Sequence, residues 1–128
     1  MRYLKLEEIL RLHFQVVKDY GGSHGVRDEE RLLSAVEAPK QRAFGVEQYL
    51  SVWLKAAVYI HNLILDHPFV DGNKRAGVVC AGIFLGRNGY KFTAEPKALE
   101  NYAVSIAADK LSTEEIAAWL KLNSKKIG

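Results

Sequence analysis

Apolar residues recur at three- and four-residue spacings over most of the chain, a period that predicts helices. The stretch 4–19, with Tyr20 just beyond it, places Leu6, Ile9, Leu10, His13, Val16 and Val17 on one side. Lys5, Glu8, Arg11 and Lys18 fill much of the other, which is the pattern of an amphipathic helix. Gly21-Gly22 supplies the backbone freedom that ends it. After the loop Ser23-His24-Gly25-Val26, Asp28 is placed to cap a short helix that stops before Pro39. Residues 39–48 show no helical period and contain Pro39 and Gly45, which predicts a loop or flap of about ten residues. Residues 49–66 and 75–88 are the most apolar helical segments. Ala76 to Leu85 carries no charge on any face, the signature of a buried helix. Asn88-Gly89 closes that segment. Glu95 to Ala108 is amphipathic, with Leu99, Tyr102, Ala103 and Ile106 on one face. Ser112-Thr113-Glu114-Glu115 is a capping-box pattern opening a last helix with Ile116, Trp119 and Leu120 inward. Lys121, Lys125 and Lys126 suit the negative end of that helix. The expected fold is all-α: a compact bundle of about six helices, with two central buried helices flanking the loop between them.

Composition narrows this picture. A length of 128 residues fits one domain, 1–128, and 48% apolar content is enough for a real core. The net charge of +3 favours an anionic partner only weakly and forms no basic stripe, so no direct nucleic-acid contact is expected. Cys80 is the only cysteine, which excludes an internal disulfide; within Val78-Val79-Cys80-Ala81 it reads as a small buried residue. The N-terminus shows no apolar signal region, and the most apolar stretch, residues 49–65, is broken by Lys55, His61 and Asn62. No membrane association and a cytoplasmic location are the expectations.

The chemistry is concentrated in Asp66-His67-Pro68-Phe69-Val70-Asp71-Gly72-Asn73-Lys74-Arg75, between the two central helices. Gly72 and Asn73 tolerate positive φ, which lets successive N–H groups turn toward one point. The helix that follows offers its unpaired amides and positive end to the same point. Lys74 and Arg75 are unfavourable cations at a helix N-terminus unless an anion sits between them. Asp71 is a hard oxygen ligand of the kind that holds magnesium together with phosphate oxygens. His67, with an ordinary pKa near 6.5, can take a proton from a hydroxyl at neutral pH. Phe69 can anchor the loop in the core. Singly, each piece has a bland reading as surface, turn or solvated charge; within nine residues they describe a phosphate site.

At these residues the chain resembles the Fic/Doc family, and within it the death-on-curing (Doc) branch. The Fic motif H-x-F-x-[D/E]-G-N-G-R-x-x-R corresponds to His67-Pro-Phe69-Val-Asp71-Gly72-Asn73-Lys74-Arg75-Ala-Gly-Val78. Lys74 replaces the second glycine and Val78 the second arginine, departures that resemble the Doc branch. Tyr20-Gly21-Gly22 with Gly25, Leu33-Ser34-Ala35-Val36 to Pro39, and Phe84-Leu85 with Asn88-Gly89-Tyr90 are similar to that branch too. The resemblance implies a Fic fold and a toxin paired with an antitoxin that folds a helical segment onto it. For activity it implies ATP-dependent phosphoryl transfer to a threonine of elongation factor Tu, which halts translation; Fic relatives instead transfer AMP from ATP to a protein hydroxyl.

The resulting expectation is transfer from ATP with Mg2+ to a Ser or Thr hydroxyl. His67 is the base, Asp71 the metal ligand, and Gly72 and Asn73 contribute backbone and amide hydrogen bonds to phosphate. Lys74 and Arg75 neutralise charge on the transferred group, Lys74 in a catalytic role. A lysine at the second glycine and the loss of an arginine clamp disfavour the AMP-transfer pose. Three other readings stay open: AMP transfer, a non-catalytic nucleotide- or ribosome-binding toxin, and a zinc site from His61, His67 and Asp71. The flap at 39–48 is either a docking edge for an extended target segment or an ordinary surface loop. His13, Phe14 and Trp53 could line a groove for a partner, with core packing the expectation for Phe14 and Trp53.

Overall fold

Helix boundaries fall where capping chemistry puts them. The computed structural model describes residues 1–127 and forms six α-helices among them: α1 (Leu6–Tyr20), α2 (Glu29–Glu37), α3 (Val52–Leu65), α4 (Asn73–Arg87), α5 (Pro96–Asp109) and α6 (Thr113–Leu122). Gly21 ends α1 at φ +92 and donates its N–H to the Val17 carbonyl. Asp28 accepts from the Arg31 amide at the start of α2, and Ser51 from the Leu54 amide at the start of α3. The capping box forms at α6, where Ser112 Oγ accepts from Glu115 N–H and Glu115 accepts from Ser112 N–H.

The two apolar helices make the centre of the bundle, as their composition predicts. Ala56, Ala57, Tyr59, Ile60, Leu63 and Ile64 of α3 are buried against Ala76, Cys80, Ala81, Phe84 and Leu85 of α4. They approach closely at Gly77, where an added Cβ would lie 3.2 Å from Ile64 Cγ1. Burial pushes the Cys80 thiol up to about 12, so it serves as a small core residue rather than a nucleophile. α1 and α5 pack on α4, while α2 and α6 pack on α3.

Three elements differ from the periodicity reading. The 39–48 stretch is ordered as a 3-10 turn (Ala38–Lys40) and a hairpin of β1 (Arg42–Ala43) with β2 (Val46–Glu47). Phe44 and Gly45, at φ +52 and +78, form the two-residue turn with positive φ that hairpins favour. Residues 124–126 are β4 (Ser124–Lys126), antiparallel to β3 (Tyr90–Phe92), so Lys125 and Lys126 lie past α6 rather than in its last turn. Strands of two or three residues are too short to show an alternation. Finally, α4 starts at Asn73, not at 75. Gly72 at φ +78 already turns the chain into the helix, which makes Asn73, Lys74 and Arg75 its first turn. Phe14, expected in the core, is exposed and stacks on His24, whereas Trp53 is half-buried against Tyr90.

Candidate active site

The loop from Asp66 to Gly72 is built around one buried anchor. Phe69 is 1% exposed and its ring lies flat on His13 of α1, with centroids 3.6 Å apart and planes 5° from parallel. Asn73 clamps the same residue from the other side. Its Oδ1 accepts from Phe69 N–H and its Nδ2 donates to Phe69 C=O, both at 3.0 Å. The expected bond from the Asn73 amide to a phosphate is therefore corrected: the side chain is buried and committed to the loop, and only its backbone N–H is left to face an anion. Residues of this kind hold a turn by mimicking backbone partners.

With Phe69 fixed, its neighbours point outward. His67 is exposed, with its backbone in the left-handed region at φ +47. Asp71 is also exposed; its Oδ2 accepts from the Ser23 amide at 2.8 Å, and its carbonyl accepts from His13 Nε2–H at 2.7 Å. That bond places the His13 proton on Nε2. Burial pushes His13 below its ordinary pKa, opposed by the Asp71 carbonyl, so the ring is a neutral strut at physiological pH. At Gly72 an added Cβ would find room, 3.4 Å from Val17 and 3.6 Å from His13, so it is the positive φ of +78 that favours glycine there. The first amides of α4 open onto this turn.

The segment before α2 runs along the loop like a strap. Val26 bridges Phe69, the Val70 amide donates to Gly25 C=O, and the amides of Arg27 and Asp28 donate to Pro68 C=O. Arg27 adds Nε–H to the His67 carbonyl at 2.7 Å and Nη2–H to the Asp66 carbonyl at 2.9 Å. Arg31 also reaches the Asp66 carbonyl at 2.9 Å. Gly22 crosses so close to Asp71 that a Cβ there would meet Asp71 Cβ at 3.1 Å.

The expected cations part company. Lys74 is exposed on the first turn of α4. Arg75 turns to α5, where Nη2 pairs with Glu100 at 3.1 Å and the guanidinium lies 4.4 Å over the Tyr20 ring. Both line a groove of about 400 Å³ between α4 and α5, walled by Val78, Leu99 and Val104. So the structure brings His67, Asp71, Gly72 and the amide end of α4 together in one turn, but engages Arg75 elsewhere. The zinc reading fails on geometry: His61 hydrogen-bonds Asn62 within α3, and among the described residues no three His, Cys, Asp or Glu side chains gather as a metal set. Sequence reasoning missed Arg27 and Arg31, and offered His13 as a residue lining a partner groove rather than as the support of the loop. The visible signal for His13 was a polar residue on an apolar stripe; for the arginines, only a four-residue spacing across a helix cap.

The pattern that defines the Fic/DOC family matches residues 3–85, which is more than half of the chain. The chain belongs to the Fic/DOC family. Two curated relatives place it with the Doc branch. It is 40% identical over 76 residues to the Toxin Doc of Mycolicibacterium smegmatis, a match covering 59% of this chain and 58% of that protein. It is 30% identical over 121 residues to the Protein kinase doc of Escherichia phage P1, covering 94% of each. The Fic/DOC match takes in α1, α2, the hairpin, α3, the loop and most of α4. His13, Arg27 and Arg31 therefore lie inside the family region, whereas the α5 side of the groove lies beyond it. No helix among the described residues is long and apolar enough to cross a membrane.

Proposed function

We propose that this Fic/DOC chain is the toxin of a toxin–antitoxin pair and transfers the γ-phosphoryl group of ATP to a Ser or Thr hydroxyl of a translation factor. Elongation factor Tu is the first target to test. The observation that carries the reading is the turn itself. An exposed histidine, an exposed carboxylate and a helix N-terminus opened by a left-handed glycine stand within seven residues, all fixed by one buried phenylalanine. The names of the two relatives, one a toxin and one a protein kinase, support the same assignment.

In this reading His67 accepts the proton of the attacking hydroxyl. The backbone amides at the start of α4 receive phosphate oxygens, in a turn that Gly72 opens at φ +78. Lys74 lends positive charge to the transferred group. Asp71 fits a magnesium ligand because its carboxylate is exposed and already oriented by the Ser23 amide. Bound Mg2+ would supply charge neutralisation for the nucleotide phosphates. Arg75 contributes by keeping α5 and Tyr20 against α4, and reaches phosphate only after leaving Glu100. The partner antitoxin is part of the same proposal, as is action in the cytoplasm, where the ATP and the translation factor are.

The test is incubation with elongation factor Tu, magnesium and ATP labelled at the α or the γ position. Transfer of γ-label is expected, falling by about 10²–10⁴-fold in His67→Ala. Transfer of α-label would replace this reading with AMP transfer. Growth arrest that persists in His67→Ala with no label transferred would leave a non-catalytic toxin.

A further inference from the structure

His67 adopts a backbone conformation that non-glycine residues rarely occupy, and such conformations persist only where the surroundings impose them. The restraint is visible. Three consecutive carbonyls, those of Asp66, His67 and Pro68, all accept hydrogen bonds from residues 27–31. The Pro68 carbonyl takes two backbone amides, which dock the strap whatever side chain residue 27 carries. The other two carbonyls depend on guanidinium groups. Arg27 forks across both, with Nε–H on the His67 oxygen and Nη2–H on the Asp66 oxygen, and Arg31 shares the latter.

Only part of this is ordinary capping of a helix end. The orphan carbonyls of α3 run up to its C-cap, Asp66, and the Arg27 and Arg31 bonds to the Asp66 oxygen are of the kind by which cationic side chains cover such groups. The His67 carbonyl lies beyond them, in the peptide whose orientation sets where the imidazole points. A planar fork with fixed donor geometry suits two successive carbonyls, which a lysine ammonium cannot reproduce. Arg27 is itself exposed, so it contributes little packing to the core.

We propose that Arg27 is a positioning residue for His67: its guanidinium bridges the Asp66 and His67 carbonyls and holds the left-handed turn that presents the imidazole to the surface. Arg31 supports the grip from α2. The role rests on the reading of His67 as the base, and its test separates the two.

The experiment compares Arg27→Ala and Arg27→Lys with the unsubstituted protein by two readouts. The first is the imidazole nitrogen spectrum, in which His13, His24, His61 and His67 report separately. The second is γ-label transfer from ATP to elongation factor Tu, with His67→Ala as the reference for the base. In Arg27→Ala the His67 signals should shift or broaden while those of His13 and His61 stay, and kcat should fall about ten- to hundredfold with little change in KM, the scale of a misplaced catalytic group. Added guanidinium ion at low millimolar concentration should restore the His67 signals and part of the rate, and Arg27→Lys should not. Unchanged His67 signals, a rate equal to that of the unsubstituted protein, or losses that also move His13 and His61 and resist guanidinium would each overturn the proposal. If the unsubstituted protein transfers no label to elongation factor Tu, that target is wrong, and the His67 spectrum with its guanidinium rescue decides the positioning role alone.

Discussion

His13 is 4% exposed, yet it is polar, and both halves of that description are used. The ring face covers Phe69 and the Nε2 proton satisfies the Asp71 carbonyl. Replacement by alanine would open space against Phe69 and leave a carbonyl without its donor. The expected loss is about 2–4 kcal/mol, from cavity and unsatisfied-group terms together. Urea unfolding of His13→Ala checks this, and a midpoint within error of the parent protein would contradict it. Asn73 teaches the same lesson from the other side of the loop. A residue expected on the ligand holds the turn that presents the ligand-facing atoms.

At the scale of elements, the hairpin of β1 and β2 depends on a lysine inside α3. Lys55 is 2% exposed; its Nζ donates to Glu47 Oε1 at 3.1 Å and to the Pro39 carbonyl at 3.3 Å, and it lies 5.5 Å from the centre of the Tyr3 ring. The Lys55 ammonium holds the Glu47 carboxyl below the usual carboxylate range. A buried ion replaced by an apolar side chain of similar length is often close to neutral in global stability. Lys55→Met is therefore expected to change unfolding free energy by less than about 2 kcal/mol. The Gln48 amide, which bonds Gln41 C=O across the open end of the hairpin, should lose hydrogen-exchange protection while α3 keeps it. Equal protection in both would show that the hairpin is held by its own turn. The side chains of Phe44 and Val46 on this flap are exposed.

For the whole molecule, two buried or paired groups make stability fall in two stages on acidification. His13 is depressed by burial, so the unfolded chain binds the proton first; the stability contributed by the neutral ring is complete above 6.5 and is lost as pH falls below it. Glu8 of α1 is held down to about 2 by the Arg87 guanidinium of α4, so its contribution is complete above 4.5 and lost between there and about 2. Urea midpoints measured from pH 8 to pH 3 should show both slopes. His13→Gln should remove the upper one and Glu8→Gln the lower; a slope that survives its own substitution would reassign it.

The sequence by itself determined that six helices form, the caps at Asp28 and Ser112, and the chemical content of the loop. Each of those rests on neighbours three or four residues apart: the apolar stripe of α1, and Asp28 and Ser112 at their caps. Tertiary structure decided which way the side chains were spent. Arg75 pairs with Glu100, twenty-five residues on, and lies over Tyr20; Arg27 reaches carbonyls forty residues away; and β3 exists only because β4 returns to it. A guanidinium, an amide or a two-residue strand has no preferred partner within its own helical turn. Its bonds go to whichever orphan carbonyl or carboxylate the packing of α1, α2 and α5 around α3 and α4 brings within 3 Å or so.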